Sequence, residues 1–209
     1  MTGKILTALF LLFTALGSHA QVSFQFESGD LIFQDLDCGP MCDAIEAVTQ
    51  GYEGNRFSHV GLVHRMGKTV TVIEAVGAGV RVLPIDSFLK RTTHKMYVGR
   101  VQKPYTRLIR KALDFALKQK GKPYDDAFLY GNDKYYCSEL IYDAFKYANH
   151  DQPFFQLEPM TFKQPGSEEY FPVWVDYYRK LGIKIPEGEP GCNPGGLSRS
   201  DKIDIVHEW

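Results

Sequence analysis

Apolar residues recur from Cys137 onward in one helical stripe: Leu140, Ile141, Ala144, Phe145 and Ala148 share a face of an amphipathic helix, with Cys137 on the inward side of its first turn. A second stripe, Leu108, Ile109, Ala112, Leu113, Ala116 and Leu117, predicts a helix that stops at Gly121, where Lys118, Lys120 and Lys122 suit the C-terminal end of its dipole. Phe57 to His64 alternates instead, with Phe57, His59, Gly61 and Val63 on one face and Ser58, Val60, Leu62 and His64 on the other, which predicts a strand. Thr69 to Ala75, rich in β-branched residues, predicts a second strand, and the short Arg65–Lys68 link makes the two a hairpin. Further short strands are predicted at Leu31–Phe33, Val80–Leu83 and Lys95–Val101, with an edge strand at Lys202–Val206. Helical patterns cover Asp43 to Tyr52, with Asp43 as N-cap and Gly51 at the stop, and Val173 to Leu181; Asp86 to Arg91 reads as a helical turn. Asp151 to Pro172 is aromatic and Pro-rich without a period, a segment expected to line a cleft or wrap the core, and Pro186 to Ser200 reads as a loop laid over the body. With no internal repeat or linker, the pattern is that of one α+β domain.

The hairpin register carries a chemical consequence. With Met66-Gly67 as a two-residue turn, Arg65 opposes Lys68, and counting back sets His59 directly opposite Glu74. Directly opposed residues have Cβ atoms about 5 Å apart, within reach for a carboxylate to hold an imidazole by one ring nitrogen. A cross-strand charge pair serving only the sheet would look the same.

Cys137 is the matching candidate nucleophile. At a helix N-terminus the free N–H groups and the positive end of the dipole favour a thiolate and can receive the oxyanion of an acyl intermediate. On the helix pattern alone a buried core cysteine is the stronger reading, because free Cys is among the most buried residue types. A base and an orienting acid are what change that balance.

Composition narrows the classes. The 209 residues are 44% hydrophobic with a formal net charge of -1, enough for a core and without the basic or acidic excess that points to nucleic acid or to an anionic membrane surface. Lys4, the uncharged run Ile5 to Leu16 and Ser18-His19-Ala20 predict a secretory signal peptide over 1–20, leaving a catalytic domain over 21–209 that is periplasmic or secreted, with no transmembrane anchor. Export places Cys38, Cys42, Cys137 and Cys192 in an oxidising compartment. If Cys137 stays free, Cys38 can pair with Cys42 across a turn, or Cys192 can pair with either; the pairing stays open.

Four short blocks carry a resemblance. Phe57-Ser58-His59-Val60-Gly61-Leu62-Val63 followed by Val72-Ile73-Glu74-Ala75, and Gly121-Lys122-Pro123-Tyr124 followed by Tyr136-Cys137-Ser138-Glu139-Leu140, resemble the histidine strand, the third-residue strand, the Gly-x-Pro-Tyr turn and the Cys-Ser helix start of NlpC-type cell-wall peptidases. Here the histidine block precedes the cysteine block, which is similar to the circularly permuted, papain-like YiiX-type amidase family. One departure is that Glu74 stands where many unpermuted relatives carry a polar residue or a histidine. The resemblance implies a papain-like fold with an antiparallel sheet against the cysteine helix. It implies Cys137 as nucleophile, His59 as base, Glu74 as orienter, and Tyr124 as a contact beside the main-chain N–H of Cys137, with Tyr136 the alternative tyrosine. No cofactor and no metal enter this chemistry. The substrate implied is an amide or peptide, a peptidoglycan fragment by family and location. Two other readings stand beside it: acyl transfer or hydrolysis on a lipid, as in the lecithin:retinol acyltransferase group, which shares the His-before-Cys order, and a catalytically silent wall-binding module.

Overall fold

The computed structural model describes residues 24–209; the predicted signal peptide lies outside the described residues. Six antiparallel strands form the main sheet: β1 (Leu31–Gln34), β2 (His59–Met66), β3 (Thr69–Val76), β4 (Gly79–Pro84), β5 (Met96–Val101) and β8 (Ile203–Glu208). Their spatial order is β4-β3-β2-β1-β5-β8, with β6 (Glu158–Pro159) and β7 (Pro190–Gly191) paired apart from it. The helices are α1 (Pro40–Val48), α2 (Ile85–Leu89), α3 (Ile109–Lys118), α4 (Cys137–Ala148), α5 (Pro172–Leu181) and α6 (Pro194–Ser198).

The two faces of the sheet bury different partners, as period-2 alternation requires. Leu31, Phe33, Val60, Leu62, Ile73 and Ala75 join the apolar stripes of α3 and α4 in the main core. Ile32, Val63, Val72 and Val98 point the other way and pack with Phe88 of α2. A third cluster, Ala44, Phe162, Trp174 and Tyr178, draws α1 and α5 together. Among the described residues no helix is long and apolar enough to cross a membrane.

Three sequence expectations need correction. The β2–β3 turn is Gly67-Lys68, so Met66 pairs with Thr69 and Leu62 with Ile73. Extending that register places Gly61, not His59, opposite Glu74. The slip is of two positions rather than one, so every side chain keeps its face and His59 becomes the diagonal neighbour of Glu74. Second, α1 begins at Pro40 after Gly39, which puts Asp43 inside the first turn instead of at the N-cap. Proline at the first helical position is pre-set for helix and lacks an N–H that would go unpaired there. Third, the tail is not all loop, since Asn193 caps the short α6 by accepting from Gly196 N at 2.7 Å. The disulfide is Cys38–Cys42, and Cys137 and Cys192 are free.

Candidate active site

His59 and Glu74 lie on one face of the sheet, buried, with His59 Nε2 2.7 Å from Glu74 Oε2. Gln34 stands directly opposite His59 on β1, its Nε2 donating to Phe88 O at 3.0 Å. Phe88 backs the imidazole at 5.8 Å between ring centroids. That packing depends on Gly61: a Cβ there would sit 2.4 Å from Val72 Cγ1 and 2.7 Å from the Phe88 ring.

Two arginines complete the acid's surroundings. Arg81, paired with Glu74 across β3–β4, donates from Nε to Oε1 at 2.8 Å, and Arg91, reaching in after α2 and stacked over Phe88, bonds Oε2. Burial opposes the charge on Glu74, but the hydrogen bond and charge of His59 and the two guanidiniums outweigh it and hold the carboxyl down at about 2. For His59, burial likewise opposes the charged form, and the neighbouring Cys137 sulfur and the hydrogen-bonded Glu74 carboxylate override it, raising the imidazole above its ordinary value. Because Nε2 is engaged by Glu74, Nδ1 is the ring nitrogen left to face Cys137.

Cys137 opens α4 and is 7% exposed. At this first helical position its main-chain N–H has no partner within the helix. Tyr124 is brought beside it by a short parallel bridge to Tyr135, reinforced by Tyr135 N to Pro123 O at 3.2 Å and Asp125 N to Tyr135 O at 3.1 Å. The turn before Tyr124 is bonded to β4, Val80 N donating to Lys122 O at 2.9 Å; Gly79, at φ +94°, permits this approach, since a Cβ would lie 2.4 Å from that oxygen. Burial and the neighbouring Cys137 charge push the Tyr124 hydroxyl well above the ordinary phenol value, so it keeps its proton and stays a donor. Tyr136 is placed differently. Its hydroxyl accepts from Cys192 N at 3.2 Å, while Ser138 Oγ donates to Cys192 O at 2.9 Å, so the residues on either side of Cys137 pin the tail strand β7–Cys192 onto α4.

The result is a cavity beside Cys137, walled by Ile45 and Val48 of α1, Phe128, Met160 and Phe162, Trp174 of α5, and Cys192. Phe128 adopts a left-handed backbone, φ +53°, in a turn whose N–H groups at Ala127 and Leu129 bind the buried Asp125 carboxylate. Such a conformation on a bulky residue persists where the surroundings over-determine it, commonly at binding sites. Sequence reasoning reached His59, Glu74, Cys137 and Tyr124, which the fold brings together. It missed Arg81, Arg91, Gln34 and the role of Cys192. Arg81 was within reach, because a turn at Gly77-Ala78 sets it opposite Glu74; Arg91 and Cys192 arrive through tertiary packing that leaves no local signal.

A histidine-bearing antiparallel sheet whose strand precedes, in chain order, the helix that a buried cysteine opens defines a circularly permuted papain-like protein. The chain belongs to the family of permuted papain-like amidase enzymes, the YaeF/YiiX or C92 family, whose model matches residues 25–207. It is 29% identical over 202 residues to the uncharacterized protein YiiX of Escherichia coli strain K12, a match covering 95% of each chain. It is also similar to the crystal structure of metalloprotein yiiX from Escherichia coli O157:H7, with a TM-score of 0.72 and 25% identity over 89% of this chain and 99% of that one. Among the described residues of this chain, no group of three or more His, Cys, Asp and Glu is arranged to hold a metal ion.

Proposed function

We propose that this protein is a cysteine amidase that cleaves an amide bond through Cys137, His59 and Glu74, acting outside the cytoplasmic membrane on a cell-wall peptide. The observation that carries the reading is the buried His59 Nε2–Glu74 Oε2 contact of 2.7 Å, beside the buried Cys137 that opens α4. In the forward step His59 takes the Cys137 proton and the sulfur attacks the carbonyl carbon. The oxyanion is received by the Cys137 N–H and the Tyr124 hydroxyl. The C–N bond then breaks, His59 protonates the leaving amine, and a thioester remains. Water, deprotonated by His59, attacks the thioester carbon, the C–S bond breaks, and the thiol and a carboxylic acid are restored. Glu74, kept anionic by two arginines, holds the imidazole by Nε2 and stabilises its protonated form.

The test is the iodoacetamide labelling rate of Cys137 in wild type and in His59→Ala, followed by incubation with muropeptides scored by mass for a released amino acid or dipeptide. A labelling rate that does not depend on His59 would remove the catalytic pair. A second reading, hydrolysis or transfer of a lipid acyl group, is favoured by the apolar wall beside Cys137; release of acyl chains from lipids with no change in muropeptides would select it. No cleavage of either class, with wall binding retained by Cys137→Ala, would select the silent module.

A further inference from the structure

Trp174 is 3% exposed, forms part of the wall of the cavity that holds Cys137, and its Nε1 has no hydrogen-bond partner among the described residues. A buried N–H without an acceptor forfeits a hydrogen bond it would make with water in the unfolded chain, so native proteins rarely keep one without a use. Apart from the Tyr124 hydroxyl, which the reaction itself uses, three hydroxyls around the same cavity are engaged within the protein: Thr49 Oγ1 donates to Ile45 O at 2.7 Å, Ser138 Oγ to Cys192 O at 2.9 Å, and Tyr136 accepts from Cys192 N at 3.2 Å. Among the described residues no lysine or arginine lines it, and the one carboxylate there, Glu158, does not favour an anion. A negatively charged group would enter without a counter-charge, at a desolvation cost an uncharged one avoids.

From this we infer that Trp174 is a specificity residue: its indole N–H donates to an acceptor oxygen carried by an uncharged, largely apolar acyl group that occupies the cavity beside Cys137. The inference rests on Cys137 being the residue that is acylated. The described residues offer the N–H a weaker kind of partner, the aromatic rings around it, since Phe128, Phe162 and Tyr177 all lie T-shaped to the indole at 5.3 to 5.7 Å between centroids. An N–H over a ring face is a poor substitute for an oxygen acceptor, and a substrate oxygen displaces it favourably.

The experiment uses coumarin amides of straight-chain acids in which one chain methylene is replaced, position by position, by an ether oxygen. Wild type should turn over one oxygen-bearing isomer better than the all-carbon amide by a factor between about two and ten, the range a single net hydrogen bond supports. In Trp174→Phe, which keeps an aromatic wall and deletes the donor, that kcat/KM ratio should fall to about one. A folded Trp174→Phe protein that keeps the ratio, or a wild type that turns the amides over with no preferred isomer, overturns the inference and assigns the N–H to the surrounding rings. Because Trp174→Phe can repack, the second measurement leaves Trp174 in place. In Cys137→Ala labelled with nitrogen-15 at tryptophan, the Trp174 indole proton should move downfield on adding the preferred oxygen-bearing amide and not on adding its all-carbon partner. Equal responses to the two overturn the inference. If wild type hydrolyses nothing while Cys137→Ala still shows the oxygen-dependent shift, the cavity assignment stands and the acyl-enzyme reading falls.

Discussion

At the scale of single residues, the two tyrosines beside Cys137 divide into different tasks. Tyr124 has a protonated hydroxyl next to the thiol, whereas the hydroxyl of Tyr136 is committed to Cys192 N. Tyr124→Phe should therefore lower kcat by about 10²-fold, the usual cost of deleting one oxyanion donor, while Tyr136→Phe acts mainly on stability and KM; steady-state kinetics on both variants check this, and equal kcat losses would contradict it. The buried acids divide as well. Glu74 is depressed from 4.5 to about 2, so the stability it contributes is present above pH 4.5 and is lost as pH falls toward 2. Glu139, buried where it accepts from Gly131 N at 3.0 Å, is raised by burial to about 8. The folded protein holds that proton between pH 4.5 and 8 and the unfolded chain does not, so stability declines as pH rises through this window. Glu139→Gln should remove that part of the decline in urea unfolding followed from pH 5 to pH 8, and a variant with the wild-type slope would show the carboxyl to be ionised throughout. His59, Glu74 and Cys137 were legible in the sequence because each sits on a strongly periodic element. Glu139 was legible only as part of the Tyr136–Leu140 block, since its burial depends on the loop through Gly131 folding over it.

At the scale of elements, parity survived where register did not. The β2–β3 turn lies one residue further on than the Met66-Gly67 turn expected, which shifts the pairing by two, and a period of two leaves His59 and Glu74 facing the same way. A turn lengthened by a single residue with both strands kept would have separated them. The start of α1 was misread for a related reason: Asp43 is a good capping residue, but Pro40 and the Cys38–Cys42 disulfide begin the helix a turn earlier. That disulfide closes a loop of only a few residues at the start of the helix that gives the cavity Ile45 and Val48. The chain-entropy relation assigns so short a loop about 2 kcal/mol. Replacing both Cys38 and Cys42 with Ser should thus lower the thermal midpoint by roughly 4–8 °C, and should raise KM by more than it lowers kcat, because the groups proposed to carry the reaction stand on β2, β3 and α4 rather than α1. A kcat loss with unchanged KM would show that α1 acts on the chemistry instead of on the wall.

At the scale of the whole molecule, the site is divided between a rigid half and an assembled half. His59 and Glu74 stand on neighbouring strands inside the sheet, backed by Phe88, and Cys137 on a helix packed in the main core, so their geometry is set by the sheet and the packing on its two faces. The cavity wall is instead gathered from α1, the 158–162 segment, α5 and the tail, which meet through the small β6–β7 ladder and the two pins from Tyr136 and Ser138 to Cys192. Sequence patterns expose the first half because strands and helices advertise their period, and they hide the second because its contacts join irregular segments far apart in the chain. The division predicts separable effects. Ser138→Ala leaves the buried Cys192 carbonyl without that donor, a loss of about 1–3 kcal/mol, and frees the tail from α4 without touching His59 or Glu74. Amide exchange at Cys192 and Asn193 should then quicken while that of β2 and β3 stays near wild type, and KM should rise by a larger factor than kcat falls. If Ser138 instead donated to the reacting oxygen, its loss would appear in kcat with tail exchange unchanged; measuring both on one variant decides whether the residue after the cysteine holds the wall or serves the reaction.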